Sequence, residues 1–106
     1  MAVPPAVGGC ELDAAGLREQ AARYARLGAV AASVARSPGG LTVQFATAPD
    51  AELLTTVLAI ERGCCASLTL AYDAGLRQLD IAADDPSGQP ALDLIERALR
   101  SGAPPA

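Results

Sequence analysis

Residues 30–45, VAASVARSPGGLTVQF, decide the fold class of this chain because they predict a β-hairpin. Apolar residues alternate with polar ones over 41–45, a pattern typical of a strand with one buried face. A partner strand is predicted over 30–36, and residues 37–40, Ser-Pro-Gly-Gly, supply the turn between the two. The chain is therefore expected to contain an antiparallel sheet.

A helix is predicted ahead of this hairpin, from an N-cap at Asp13 to about residue 27. Gly28 follows it and is a natural residue to end a helix. The expected apolar stripe of the helix consists of Leu17, Ala21, Tyr24 and Leu27.

A second helix is predicted after the hairpin, beginning near Asp50 and ending at residue 64 or 65. Either Thr47 or Asp50 is its N-cap, and Glu52 lies in the first turn, where the helix dipole favours a negative charge.

The remaining residues predict a second hairpin and a third helix. Strands over 68–72 and 76–82 flank a turn at 73–75, and a loop covers 84–88. Pro90 suits the first turn of the last helix, which is expected to end near Arg100. The residues of this helix expected to face inward are Leu92, Ile95 and Leu99.

The predicted element order is α-β-β-α-β-β-α, which indicates an α+β domain. We expect the two hairpins to form one four-stranded antiparallel sheet with three helices packed on it, and the strand order stays open. A single domain is expected over 10–101. Residues 1–9 and 102–106 are rich in Pro, Gly and Ala, and we expect them to form flexible tails.

Composition and charge exclude several classes of protein. The net charge is −4, and the eight arginines are dispersed without interleaved aromatic residues, so no nucleic-acid partner is expected. No run of about 18 apolar residues is present, so no membrane partner is expected either. The expected location is the cytoplasm of a bacterium.

The chain contains no histidine, which removes the usual general base and the commonest zinc ligand. The glycine pairs at 8–9 and 39–40 lack the spacing of a phosphate-binding loop. Adjacent Asp84 and Asp85 lack the alternating ligands of a calcium loop, so a solvated loop is expected there.

Three cysteines remain as candidates for chemistry: Cys10 and the adjacent pair Cys64-Cys65. Each alone reads as a small buried apolar residue, as free cysteine often is. Two adjacent helical residues point about 100° apart, however, and an apolar core rarely favours cysteine at both. An odd number of cysteines in the reducing cytoplasm also argues against a disulfide framework.

Three sulfurs without a nitrogen ligand make a soft site, suited to Hg(II), As(III) or Cu(I). Structural zinc usually takes four ligands, so zinc or cadmium would need a fourth, such as Glu61. Glu61 and Arg62 are the expected polar neighbours that set the charge and orientation of the sulfurs. Arg18, about one turn into the first helix, is expected to stabilise the Cys10 thiolate.

The chain also resembles a group of small, mostly uncharacterised bacterial proteins associated with mercury and heavy-metal resistance gene clusters. The resemblance lies in the Cys-x-Leu start, Cys10 to Leu12, and in the helix end Glu61-Arg62-Gly63-Cys64-Cys65 with a hairpin after it. Relatives often continue Cys-Cys-Pro-Phe, whereas this chain has Ala and Ser at 66 and 67. The resemblance implies that Glu61 and the three cysteines act together.

Three functions are consistent with these residues. The first is a soft metal or metalloid ion-binding protein in heavy-metal resistance, with Cys10, Cys64 and Cys65 as ligands, and we favour such a binder over an enzyme. The second is a thiol-dependent enzyme, either a redox protein or one that cleaves organomercurials. The third is a non-catalytic interaction domain. The expected partner is the metal ion, with self-association into a homo-oligomer left open.

Overall fold

The computed structural model describes residues 14–64 and 68–103 of the chain. Within them the elements follow the order α-β-β-α-β-β-α, which confirms the predicted α+β fold. The elements are α1 (Ala14–Gly28), β1 (Ala31–Ser37), β2 (Gly40–Phe45), α2 (Ala51–Cys64), β3 (Leu68–Asp73), β4 (Gln78–Ala83) and α3 (Gln89–Gly102), with a single 3₁₀ turn at Pro86–Gly88 before α3.

The four strands form one antiparallel sheet in the order β1-β2-β4-β3. Each hairpin pairs within itself, and the hairpins join through β2 and β4, with Val43 opposite Leu79 and Leu41 opposite Ile81. Strands β1 and β3 therefore form the edges of the sheet, an order that the sequence left open.

The core lies between one face of the sheet and the three helices. Leu, Val and Ile dominate it because the chain has only three aromatic residues. Leu92, Ile95 and Leu99 of α3 are buried, as predicted. The largest fully buried side chains are Tyr24, Phe45, Leu27, Leu79, Ile81, Leu92, Leu99, Val43 and Val57.

A charged cluster fixes α3 on the edge strand β1. Arg36 donates hydrogen bonds to Asp93 (2.7 Å) and Glu96 (3.0 Å). Arg100 donates to Glu96 (3.0 Å) and to the Val34 carbonyl (2.9 Å). The hydrogen bond from Arg100 and then that from Arg36 lower the pKa of Glu96, while the hydrogen bond to Asp93 leads the effects that raise the pKa of Arg36.

The buried face of α1 differs from the predicted stripe. Tyr24 and Leu27 are buried as expected, but Ala21 is exposed and Leu17 only half-buried. Gln20 occupies the buried position one turn before Tyr24. The buried face of α1 is thus shifted from the predicted one towards Gln20, whose amide donates a hydrogen bond to Glu61 on α2. The predicted N-cap, Asp13, lies outside the described residues.

Gly28 has a different role from the predicted one. It is the last residue of α1 rather than a stop beyond it. A Cβ at this position would lie 2.0 Å from the Leu99 carbonyl oxygen, so only glycine allows α3 to approach this closely. Gly102 is similar, since its Cβ would lie 1.8 Å from the Ala25 carbonyl oxygen. Helix α3 ends at Gly102, two residues beyond its predicted end near Arg100.

Two local features resolve or correct the remaining expectations. Asp50, not Thr47, caps α2, because its Oδ1 accepts the Leu53 N–H at 2.9 Å. Strand β4 begins at Gln78 rather than at residue 76. Leu76 and Arg77 belong to the turn, where the Asp73 carboxylate accepts the Leu76 N–H (3.0 Å) and Arg77 has a φ of 50°.

Candidate functional site

The three cysteines fall mainly outside the part of the chain that the structure describes. Cys10 and Cys65 lie beyond it, and Cys64 is placed only as the last residue of α2. The predicted convergence of the three sulfurs therefore stays a prediction. Within the described residues, no group of three or more His, Cys, Asp or Glu side chains is arranged to hold a metal ion.

The buried face of α2 leads towards the cysteine pair. Leu54, Val57 and Glu61 are buried and follow each other by three and four residues, the spacing of one helical face. Cys64 and Cys65 follow Glu61 by three and four residues, so they continue this spacing along the sequence. An apolar face therefore gives way to a buried carboxyl group immediately before the two thiols.

Glu61 is the most unusual residue of this face, because its side chain carries a carboxyl group but the residue is only 3% exposed. Its Oε1 accepts a hydrogen bond of 2.9 Å from the Gln20 amide. Its Oε2 is buried and has no hydrogen-bond partner among the described residues. A buried polar atom without a partner destabilises a fold by about 1–3 kcal/mol, so this oxygen calls for an explanation.

Gln20, itself only 4% exposed, holds Glu61 in position from α1. Its Nε2 donates to Glu61 and also to the Val57 carbonyl at 3.3 Å. Its Oε1 accepts from Arg23 at 3.1 Å, which fixes the orientation of the amide. The hydrogen bonds Arg23–Gln20–Glu61 thus run from the surface to the buried carboxyl group.

Glu61 also lines a groove between α1 and α3. The groove has a volume of about 570 Å³, and most of its wall is apolar. We call it the α1–α3 groove. Its principal apolar residues are Leu17, Ala21, Ala25, Leu94, Ile95 and Ala98, and its polar ones are Arg18, Gln20, Glu61, Arg97 and Ser101.

The other charged residues considered in the sequence are exposed, unlike Glu61. Arg62 is exposed on α2, and Arg18 is exposed at the α1–α3 groove. Asp84 and Asp85 are exposed, as expected for a loop. Asp85 accepts from Ser87, a contact that lowers the pKa of Asp85 and caps the 3₁₀ turn.

Sequence reasoning missed Gln20 and Arg23. A polar residue on an apolar stripe is normally placed on the solvent side, so Gln20 gave no signal on its own. Its spacing does give a signal, because Gln20 lies four residues before Tyr24 and seven before Leu27. A glutamine in phase with these buried residues indicates a buried polar partner, which here is Glu61.

Comparisons of the chain with protein-family models, with curated proteins and with solved structures found no match. Among the described residues, no helix has both the length and the apolar composition needed to cross a membrane.

Proposed function

We propose that this protein binds a soft metal or metalloid ion, of the Hg(II), As(III) or Cu(I) class, through the thiolates of Cys10, Cys64 and Cys65. The proposal places it in the cytoplasm and in heavy-metal resistance. One observation carries it: Glu61 is buried with an oxygen that has no partner among the described residues, three residues before Cys64 and four before Cys65.

A carboxyl group next to thiols can assist metal binding, a role that it does not have in an apolar core. Thiols release their protons when they bind a metal ion, and groups near metal ligands accept protons and orient the ligands. Gln20 and Val57 hold one side of the site in a fixed arrangement. Glu61 would then keep Oε2, which has no partner among the described residues, for this role.

The ligand types favour a soft ion over a hard one. Thiolates select soft ions, and the chain has no histidine to supply the imidazole of a common zinc site. Zinc or cadmium would require Glu61 itself as the fourth ligand. The identity of the ion then decides whether Glu61 binds it directly or acts through the sulfurs.

Titration of the reduced protein with Hg(II), As(III), Cu(I) and Zn(II) tests the proposal. We expect a 1:1 complex with at least one soft ion, with affinity lowered about tenfold or more in each single Cys→Ser variant. Glu61→Gln should weaken binding less than the cysteine changes do. Glu52→Gln, the same chemical change at an exposed position in the first turn of α2, is the matched control and should leave affinity unchanged.

The proposal fails if the Cys10→Ser and Cys65→Ser proteins bind as tightly as the wild type. Turnover of a disulfide substrate or of an organomercurial would instead indicate the thiol-dependent enzyme. A protein that binds no ion, and self-associates equally well after all three Cys→Ser changes, would indicate an interaction domain.

A further inference from the structure

We propose that the α1–α3 groove binds a single-chain apolar molecule with one anionic head group, of the fatty carboxylate type. Arg18 and Arg97 hold the head group, and the apolar wall between them covers the chain. This site goes beyond the proposed ion binding, because it uses neither the thiols nor the carboxyl oxygens of Glu61.

The size and composition of the groove fit a small apolar molecule. Its volume of about 570 Å³ falls within the range of roughly 300–1,000 Å³ that is usual for ligand sites. Leu94 is 43% exposed at this wall, and covering such a side chain with an apolar ligand is favourable. Short side chains form much of the remaining wall: Ala21, Ala22, Ala25, Ala91 and Ala98. An unbranched alkyl chain therefore has room to lie between the two helices.

The charge of the ligand follows from two arginines that line the groove from opposite helices. Arg18 lies on α1 and Arg97 on α3, and both are exposed. Neither forms an ion pair within residues 14–64 and 68–103. A guanidinium group presents two parallel N–H donors that match the two oxygens of a carboxylate. The groove thus favours an anionic head group, although the chain as a whole has a net charge of −4.

The acidic residues of the two fully described helices lie away from the groove. Glu19 of α1 pairs with Arg23 at 3.9 Å. Asp93 and Glu96 of α3 pair with Arg36 at 2.7 and 3.0 Å, on the side of α3 that faces β1. None of these three carboxylates lines the groove. The carboxylates of α1 and α3 are therefore paired elsewhere, and the two groove arginines remain for a ligand.

Glu61 lines the groove from α2 without offering its carboxyl group to a ligand. The residue is only 3% exposed, its Oε1 accepts from Gln20, and its Oε2 is buried. The head group would lie at the exposed guanidinium groups, where solvent screens its interaction with a buried carboxyl group. Glu61 is consequently compatible with an anionic ligand held by Arg18 and Arg97.

Binding of octanoate, compared with octylamine and octanol, tests the proposal, because the three probes share one chain and differ in the head group. Nuclear magnetic resonance titration of the ¹⁵N-labelled full chain should shift α1 and α3 amides along the groove. Two exposed ion pairs gained with the carboxylate and two repulsions avoided should make octanoate bind about tenfold tighter than octylamine. Octanol should fall between them.

Arginine variants locate the head group. Arg18→Gln and Arg97→Gln should each reduce the preference for octanoate over octylamine, and the double variant should abolish it. Arg26→Gln is the matched control, since Arg26 is exposed on α1 but lines a separate depression with Asp50 and Glu52. A double variant that retains the full preference would overturn the proposal.

A third substitution tests the site of the alkyl chain. Ala21 is exposed at the groove wall, so Ala21→Phe should preserve the fold while filling the groove and weakening binding of all three probes. Equal affinity for octanoate and octylamine, shifts away from the groove, or no binding of any probe would overturn the proposal. Sedimentation with phosphatidylglycerol vesicles that is lost in Arg97→Gln would assign the groove to a membrane surface and overturn it too.

The protein with all three cysteines changed to serine separates this site from the ion site. It should lose ion binding and keep the preference for octanoate, since the groove contains no thiol among the described residues. Arg97→Gln should show the reverse. Loss of the octanoate preference in the cysteine-free protein would contradict the inference, whereas unchanged ion binding there would count against the proposed function alone.

Discussion

The interface between α1 and α3 has two adjoining regions that share Ala25 and differ in packing, and we call them the closed end and the open end. At the closed end, Gly28 lies against the Leu99 carbonyl and Gly102 against the Ala25 carbonyl, so that a single Cβ would not fit. At the open end, the helices leave a groove of about 570 Å³ that has Glu61 among its lining residues. One end is packed to the limit of the backbone, and the other retains space and a buried carboxyl oxygen that has no partner within residues 14–64 and 68–103.

The two ends are therefore expected to differ in their contribution to stability. Close packing of backbone and side chains stabilises a domain, whereas a void and a buried carboxyl group destabilise it. We therefore expect mutations at the two ends to change stability in opposite directions.

The largest effect is expected at the closed end, from Gly28→Ala. The new Cβ would lie 2.0 Å from the Leu99 carbonyl oxygen, and backbone atoms can only relieve this contact by moving the helices apart. We expect the free energy of unfolding to fall by about 2–4 kcal/mol, measured by urea denaturation.

Gly63→Ala in α2 is the control, because a Cβ there meets nothing within 4 Å. Alanine favours helix over glycine, so this change should raise stability by about 0.5–1 kcal/mol. Equal effects of the two substitutions would mean that the closed end is not set by contact between backbones.

Replacement of Glu61 tests the open end and should have the opposite sign. Glu61→Met keeps similar volume and removes the buried carboxyl group, while the Gln20 amide retains its hydrogen bond to the Val57 carbonyl. We expect urea denaturation to show an increase of about 1–2 kcal/mol in the free energy of unfolding.

Glu52→Met is the matched control on the same helix. Glu52 is exposed in the first turn of α2, so its loss should lower stability by no more than about 1 kcal/mol. If Glu61→Met instead lowers stability as much as Gly28→Ala does, then Glu61 stabilises the fold and the contrast between the two ends disappears.

The sequence predicted the element order and the inward face of α3 better than it predicted the open end. Strand alternation, turn residues and caps are local signals, and they were sufficient for the element order and the inward face of α3. Strand order and the approach of Gly28 to Leu99 depend on distant residues, so no local pattern encoded them. Glu61 was selected for its position beside the cysteines, but its burial and its contact with Gln20 required the fold.

The smallest effect is expected from acid, acting on the charged cluster that fixes α3 to β1, outside both ends of the α1–α3 interface. The pKa of Glu96 is lowered, first by the hydrogen bond from Arg100 and then by that from Arg36. A carboxyl group with a lowered pKa contributes stability above its ordinary value of about 4.5, and this contribution is lost as the pH falls through the lowered value. Because the pairs are partly exposed, the contribution should be less than about 1 kcal/mol.

Glu96→Gln removes this carboxyl group and keeps every other acidic residue of the chain. We expect the wild type to be more stable than Glu96→Gln near pH 7 and the difference to shrink below pH 4.5, as measured by urea denaturation across the pH range. A difference that is constant with pH would mean that Glu96 acts through packing rather than charge. The same series in Gly28→Ala should give the same difference, because Glu96 does not contribute to the closed end.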